Sequence, residues 1–285
     1  IILIFFLINT LWANIGTNED LKVLKELGLE SSFLSNIEVI NIYNEYSSKN
    51  KINYYRNVLK KSSLNAQIVR TEIENENLHE ATFFIPMIES SFVNQTRGKN
   101  SPGGLWQIIP DTAKHLKLRN DEFIDERLDL IKSTDAASSY LKRYYKKFDN
   151  KWYLSILAYN CGEGRVIEAI TRASLDRYLE LNPNRTSGIL RSFQRTLDDY
   201  KRTKRGISDL YTIYGELQGM EIPFDFEYLI KNNKQKQYLP ESTLSYIKKI
   251  IIFSILSNRN LFDDIRKSPY QLEKVKLSKG VSLKS

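Results

Sequence analysis

Cysteine occurs once in this chain, at Cys161, and histidine twice, at His79 and His115. A single thiol excludes an intrachain disulfide, and the three residues are too scattered for a zinc cluster. No metal or other cofactor is expected, and nothing in the pattern supports a Cys/His nucleophilic pair. Glycine (12) and proline (7) are scarce among 285 residues. Long stretches pass without a turn former, which favours an all-helical protein. There is no arginine-rich run and no nucleic-acid motif, so nucleic acid is not an expected partner. The two most apolar stretches fall short of a membrane span. Ile1 to Ala13 would cover roughly 20 Å as a helix, against a hydrocarbon core of ~30 Å. The run near Ile250 is interrupted by Lys248 and Lys249.

What is present points to a globular, basic protein. Hydrophobic residues make up 41% and aromatics 12%, enough for a sizeable core. The formal charge of +8 suits a polyanionic partner such as membrane headgroups or an acidic cell-wall polymer. Residues 1–17 read as the remainder of a secretory signal, with an uncharged h-region and Trp12-Ala13-Asn14 near a cleavage point. That predicts export. Residues 18–80 show helical spacing (Leu21, Leu24 and Leu27, ended by Gly28) without any cluster that suggests chemistry. The longest clean helical signal runs from Asp125 to Asp149. A last strong helix is expected from Pro240 through Leu256, and residues 258–285 read as a polar, basic extension or linker.

The chemistry concentrates around Glu89, in the segment Phe83-Phe84-Ile85-Pro86-Met87-Ile88-Glu89-Ser90-Ser91-Phe92. If this segment is helical, Ile85 and Phe92 share the face of Glu89. Apolar neighbours penalise the charged carboxylate and raise its pKa, which suits a proton donor near neutral pH. Downstream, Gly103-Gly104-Leu105-Trp106-Gln107 joins two glycines, which permit close backbone approach, to an aromatic ring and an amide. Rings and amides are usual equipment for holding sugars, although Trp106 reads equally well as core. A short helix should begin near Pro110 to Thr112 and end before Leu118.

Taken in order, these residues resemble one family. Glu89-Ser90, then Gly104-Leu105-Trp106-Gln107-Ile108-Ile109-Pro110, then Ala158-Tyr159-Asn160-Cys161-Gly162-Glu163-Gly164-Arg165-Val166 look like the three motifs of the soluble-lytic-transglycosylase (SLT) domain. A weaker fourth match is Leu239-Pro240-Glu241-Ser242-Thr243 with Tyr246. Within the family the likeness is greatest to the membrane-bound lytic murein transglycosylase D type. It covers about residues 81–170 and resumes at 238–257. The resemblance implies an all-α, lysozyme-like (goose-type/SLT) catalytic domain over residues 81–257, with an N-terminal helical extension. It implies cleavage of the MurNAc-β-1,4-GlcNAc bond of peptidoglycan glycan strands without water, leaving 1,6-anhydroMurNAc ends. Glu89 would be the one catalytic acid and base. Substrate contacts are implied for Ser90, Ser101, Trp106, Gln107, Ile109, Tyr159, Asn160, Glu241 and Tyr246, with Ser90 better suited to fixing the turn after Glu89. The place implied is the periplasm or cell envelope, with a peripheral association there.

Three positions depart from the family pattern. Gly98 stands where a serine is usual, with Ser101 as its substitute; Cys161 occupies a site usually Ala or Ser; and Thr243-Leu244 replaces a usual arginine. Two other functions stay open. A hydrolytic muramidase would need a second acid, for which Glu163 is the nearby candidate. A non-catalytic peptidoglycan-binding protein would not depend on Glu89 at all.

Overall fold

The computed structural model describes residues 15–184, 187–220, 226–230 and 237–260. Most of the expected signal segment (1–14) and of the C-terminal extension (261–285) therefore lies outside the described residues. Among the described residues there is no β-strand, only isolated bridges, and the chain is all-α. The N-terminal part comprises α1 (Asn18–Leu27), α2 (Ile37–Tyr46), α3 (Lys49–Lys61) and α4 (Ser63–Asn75). Then follow α5 (Phe84–Ser90), α6 (Pro110–His115), α7 (Leu130–Lys147), α8 (Trp152–Cys161) and α9 (Glu163–Leu181). The last are α10 (Gly188–Thr203), α11 (Ile207–Gly219), α12 (Phe226–Ile230) and α13 (Glu241–Asn258).

Local chemistry sets the ends of these helices. Thr17 caps α1 in a capping box: its hydroxyl accepts from Asp20 N at 3.3 Å, and the Asp20 carboxylate accepts from Gly16 N and Thr17 N. Gly28, at φ 86°, ends the same helix in the left-handed conformation that only glycine adopts at little cost. The long signal that begins at Asp125 does not give a helix from that residue. Asp125 instead opens a single 3-10 turn (Glu126–Leu128), and Asp129 caps α7 by accepting from Ile131 N and Lys132 N. Two aspartates four residues apart compete for the start, and the second one wins.

The last helix is the centre of the molecule. Ile247, Ile250, Ile251, Ile252, Phe253, Ile255 and Leu256 of α13 are all buried, so its sides are covered all round as expected of a core helix. It packs on α1, α2, α5 and α8. Lys248, 2% exposed, reaches Glu38 of α2, and Arg259 just past its end bonds Asp20 of α1 at 2.5 and 3.0 Å. Described residues on both sides of residue 80 thus contribute to one hydrophobic core. No described helix is long and apolar enough to cross a membrane. Around α13, the C-terminal ends of α5 and α8 and the long loop between α5 and α7 meet at one side, and the cleft forms there.

Candidate active site

Glu89 sits one residue from the end of α5, whose preceding residues Phe84, Ile85, Pro86 and Met87 are buried. Ser91 (φ 53°) and Phe92 (φ 56°) then turn the chain sharply through two left-handed residues, a costly conformation for side chains with a Cβ. Three side chains hold it. Asn65 Nδ2 donates to Phe92 O at 2.9 Å, Ser62 Oγ to Ser91 O at 3.2 Å, and Ser90 Oγ lies 2.8 Å from Leu105 O and 3.0 Å from Pro86 O. The turn leaves the Glu89 carboxyl facing a cleft of about 410 Å³. Its walls include Pro102, Gln107, Ile108, Ile109, Thr112, Tyr140, Tyr159, Asn160, Cys161 and Gly162. Burial raises the Glu89 pKa above the ordinary carboxyl range, opposed by the Tyr246 hydroxyl. That hydroxyl is buried and faces the carboxyl, yet among the described residues no atom meets it with good hydrogen-bond length and angle. It is a donor held in reserve beside the acid.

The loop opposite Glu89 is built around a residue that the sequence reading did not single out. Arg127 is completely buried. Its guanidinium forms a two-pronged pair with Asp125 at 2.8 and 2.7 Å and donates to the carbonyls of Ser101 (2.5 Å), Ile108 (3.1 Å) and Lys99 (3.2 Å). The planar fork matches this spread of acceptors, which a lysine could not cover. Gly103 and Gly104 let the loop lie against it. A Cβ on Gly104, at φ 74°, would stand 1.8 Å from Arg127 O, so the glycine is required both for space and for backbone angle. Gly103 and Ile108 close a small antiparallel loop with bonds of 3.1 and 2.9 Å. At its tip Gln107 adopts φ 48° and donates Nε2 to Gly104 O at 2.8 Å. Its amide oxygen is left for the cleft.

The third wall is the end of α8. Tyr159 donates its hydroxyl to Trp106 O at 2.6 Å. Burial first, then the nearby Glu89 and Tyr140, push its pKa well up, so it stays a neutral phenol. Asn160, one residue on, is exposed at the cleft mouth. The Cys161 thiol is pushed up to about 11, chiefly by burial, which keeps it protonated and a poor nucleophile.

Of the residues predicted to contact substrate, the structure therefore gathers Gln107, Ile109, Tyr159 and Asn160 with Glu89 around one cleft, with Tyr246 behind the acid. Four others sit differently. Trp106 has no exposed surface; its indole N–H donates to Thr134 Oγ1 of α7 at 2.9 Å, and its ring meets Tyr159 edge-on. It is core that supports Tyr159, and it offers no platform for a sugar. Ser90 has its hydroxyl occupied by two carbonyls. Ser101 is gripped through its carbonyl by Arg127, and its neighbour Pro102 lines the cleft instead. Glu241 is exposed in the first turn of α13 and does not line the cleft. Five residues of helix separate it from Tyr246, a rotation of roughly 140°, so the two cannot face the same way. Arg127 was not singled out in the sequence, and Tyr140 and Thr112 read there only as helix residues. The only sign of Arg127 was Asp125 two residues before it.

The site is thus a half-buried acid at the end of a short helix, facing a loop-borne amide and a tyrosine-asparagine pair. Residues 68–179 match the family described as Transglycosylase SLT domain. That stretch of the chain is thus similar to a transglycosylase SLT domain. A protein of Alteromonas sp. (strain M-1) named for tributyltin chloride resistance is 41% identical over 101 residues, 35% of this chain and 49% of that one. Membrane-bound lytic murein transglycosylase D of Escherichia coli K12 is 39% identical over 100 residues, again 35% of this chain but 22% of the relative. Peptidoglycan transglycosylase gp16 of phage T7 is 32% identical over 169 residues, 57% of this chain and 12% of the relative. The chain thus spans about half the length of the first of these relatives and about a fifth of the second. The SLT match carries Glu89, Gln107, Tyr159 and Asn160. Tyr246 reaches the site from beyond it.

Proposed function

We propose that this SLT-like domain cleaves the MurNAc-β-1,4-GlcNAc bond of peptidoglycan without water, with Glu89 as acid and then as base. The observation that carries this reading is the solitary carboxyl. Among the described residues lining the cleft, Glu89 has no second acid beside it, whereas a hydrolase of the two-carboxylate kind needs one as nucleophile or water-activating base. Glu163, the sequence candidate for that second acid, is engaged elsewhere: Lys147 Nζ pairs with it and Tyr211 donates to it at 3.0 Å. The names of two relatives, a murein transglycosylase and a peptidoglycan transglycosylase, support the substrate class.

In this reading the raised pKa keeps Glu89 protonated at the start. The acid gives its proton to the glycosidic oxygen as the bond to the MurNAc anomeric carbon breaks. The 2-acetamido group shields the developing cation. The resulting carboxylate then takes the proton of the same sugar's 6-hydroxyl as that oxygen closes on the anomeric carbon. The proton returned equals the proton given, so no water is consumed and Glu89 ends as it began. Tyr246 is placed to donate to the transient carboxylate, while Gln107 and Asn160 supply amide contacts to the sugars. Export to the periplasm or envelope belongs to the same proposal.

Digestion of purified murein, with products weighed by mass spectrometry, tests it. The wild type should release fragments ending in 1,6-anhydroMurNAc, and Glu89→Gln none. Reducing ends from the wild type would overturn the non-hydrolytic course, and unchanged release by Glu89→Gln would overturn the role of Glu89.

A further inference from the structure

The cleft has a neighbour on the other side of α6. A second concavity, also about 410 Å³, is lined by Lys99, Asn100, Pro110, Asp111, Lys114, Lys117, Leu118, Arg119 and Asn120. Four of these are cationic and one is acidic. Arg119 is already paired with Asp121 at 2.7 Å. Lys99, Lys114 and Lys117 are exposed and have no carboxylate within ion-pair distance among the described residues. Lys117 is held at φ 60°, a left-handed position in which a lysine is uncommon. Three unpartnered ammonium groups around one depression repel each other unless an anion joins them.

The position of this depression is as informative as its charge. Ile109 and Thr112 line the cleft, whereas Pro110, Asp111 and Lys114 line the basic concavity. The short helix α6 is the partition between them. The wall is stiff, because Arg127 grips the carbonyl of Lys99 on the basic side and that of Ile108 on the cleft side. Crossing one helix takes ~10 Å, the span of about three extended residues. We propose that the basic concavity holds carboxylates of the peptide branch carried by a glycan strand lying in the cleft. This inference rests on the proposed action on peptidoglycan and extends it. It makes the domain a reader of the peptide as well as a cutter of the glycan.

The test compares three substrates made from one glycan preparation: strands with intact peptides, strands whose peptide carboxyls have been converted to amides, and strands stripped of peptide by an amidase. The wild type should show a KM for intact strands about three- to tenfold below that for the other two, the range expected when one or two exposed ion pairs are lost. Raising the salt concentration should erase the difference. The double variant Lys114→Gln/Lys117→Asn, with asparagine chosen because it tolerates the left-handed position, should lose the preference. Its thermal midpoint and its kcat/KM on stripped strands should stay at the wild-type values, since neither lysine touches the cleft. Equal KM values for all three substrates with the wild type would overturn the inference and leave the activity standing. So would a preference retained by the double variant, or one shared by amidated strands. No product from any substrate would overturn the activity and this inference with it.

Discussion

Replacing Arg127 by alanine should weaken both the fold and the chemistry, and the size of the effect follows from what its five hydrogen bonds leave behind. Ile108 O still receives Gly103 N at 3.1 Å, and Lys99 O still receives Asn120 Nδ2 at 3.1 Å. Ser101 is only half-buried, so water reaches its carbonyl. The serious loss is the charge pair. Removing one partner of a buried ion pair costs about 3–5 kcal/mol. The Asp125 side chain is 18% exposed and keeps the Arg127 backbone N–H at 3.1 Å, which places the expected loss near the lower end, at ~3 kcal/mol. That is a large part of a typical stability of about 5–15 kcal/mol. In a chain of this size it corresponds to a fall of roughly 6–12 °C in Tm. Chemical denaturation of Arg127→Ala, Asp125→Asn and the double variant would measure it. The double variant should be less destabilised than the sum of the singles, with a coupling of about 1–3 kcal/mol. Because the same guanidinium holds the loop that carries Gln107, kcat/KM on glycan strands should fall about tenfold or more, as expected when positioning is loosened. A loss of stability under ~1 kcal/mol, or undiminished turnover, would refute the view that Arg127 organises the site.

Two further outcomes follow from the environment of Glu89. Tyr246→Phe removes the hydroxyl that holds the raised Glu89 pKa in check, so the alkaline limb of the kcat/KM–pH profile should move to higher pH; an unchanged or lowered limb would contradict the contact. Glu89→Gln should be more stable than the wild type at pH 8. With its folded-state pKa above its unfolded one, Glu89 binds its proton more tightly in the folded protein, and its ionised form costs stability as pH rises through that window. Thermal melts should show the gap closing below the ordinary carboxyl range, and a variant less stable at pH 8 would show that the carboxylate is instead well solvated or paired.

The helices, and the acid, were legible in the chain itself. Gly28, Pro110 and Pro240 mark real helix limits because each acts through its own backbone angles, which need no distant partner. The apolar neighbours of Glu89 foretold its raised pKa, since residues next to it in α5 bring their own burial with them. The start of α7 was misplaced by about five residues because Asp125 and Asp129 are both competent caps, and only the pull of Arg127 on Asp125 decides between them. Trp106 could be read as platform or as core, and the choice fell to Thr134, which lies 28 positions away and takes its N–H. Glu241 and Tyr246 belong to one motif in sequence, yet helical rotation sends one to solvent and the other to the acid. From residue types and spacing alone came an all-α protein with one carboxyl among apolar neighbours and an aromatic-amide pair downstream; the tyrosine-asparagine pair came from the family resemblance. Which of those side chains share a cleft, that a buried arginine binds the loop into place, and that a basic concavity lies one helix away were decided only when distant segments packed together, because burial and charge pairing are properties of neighbours in space.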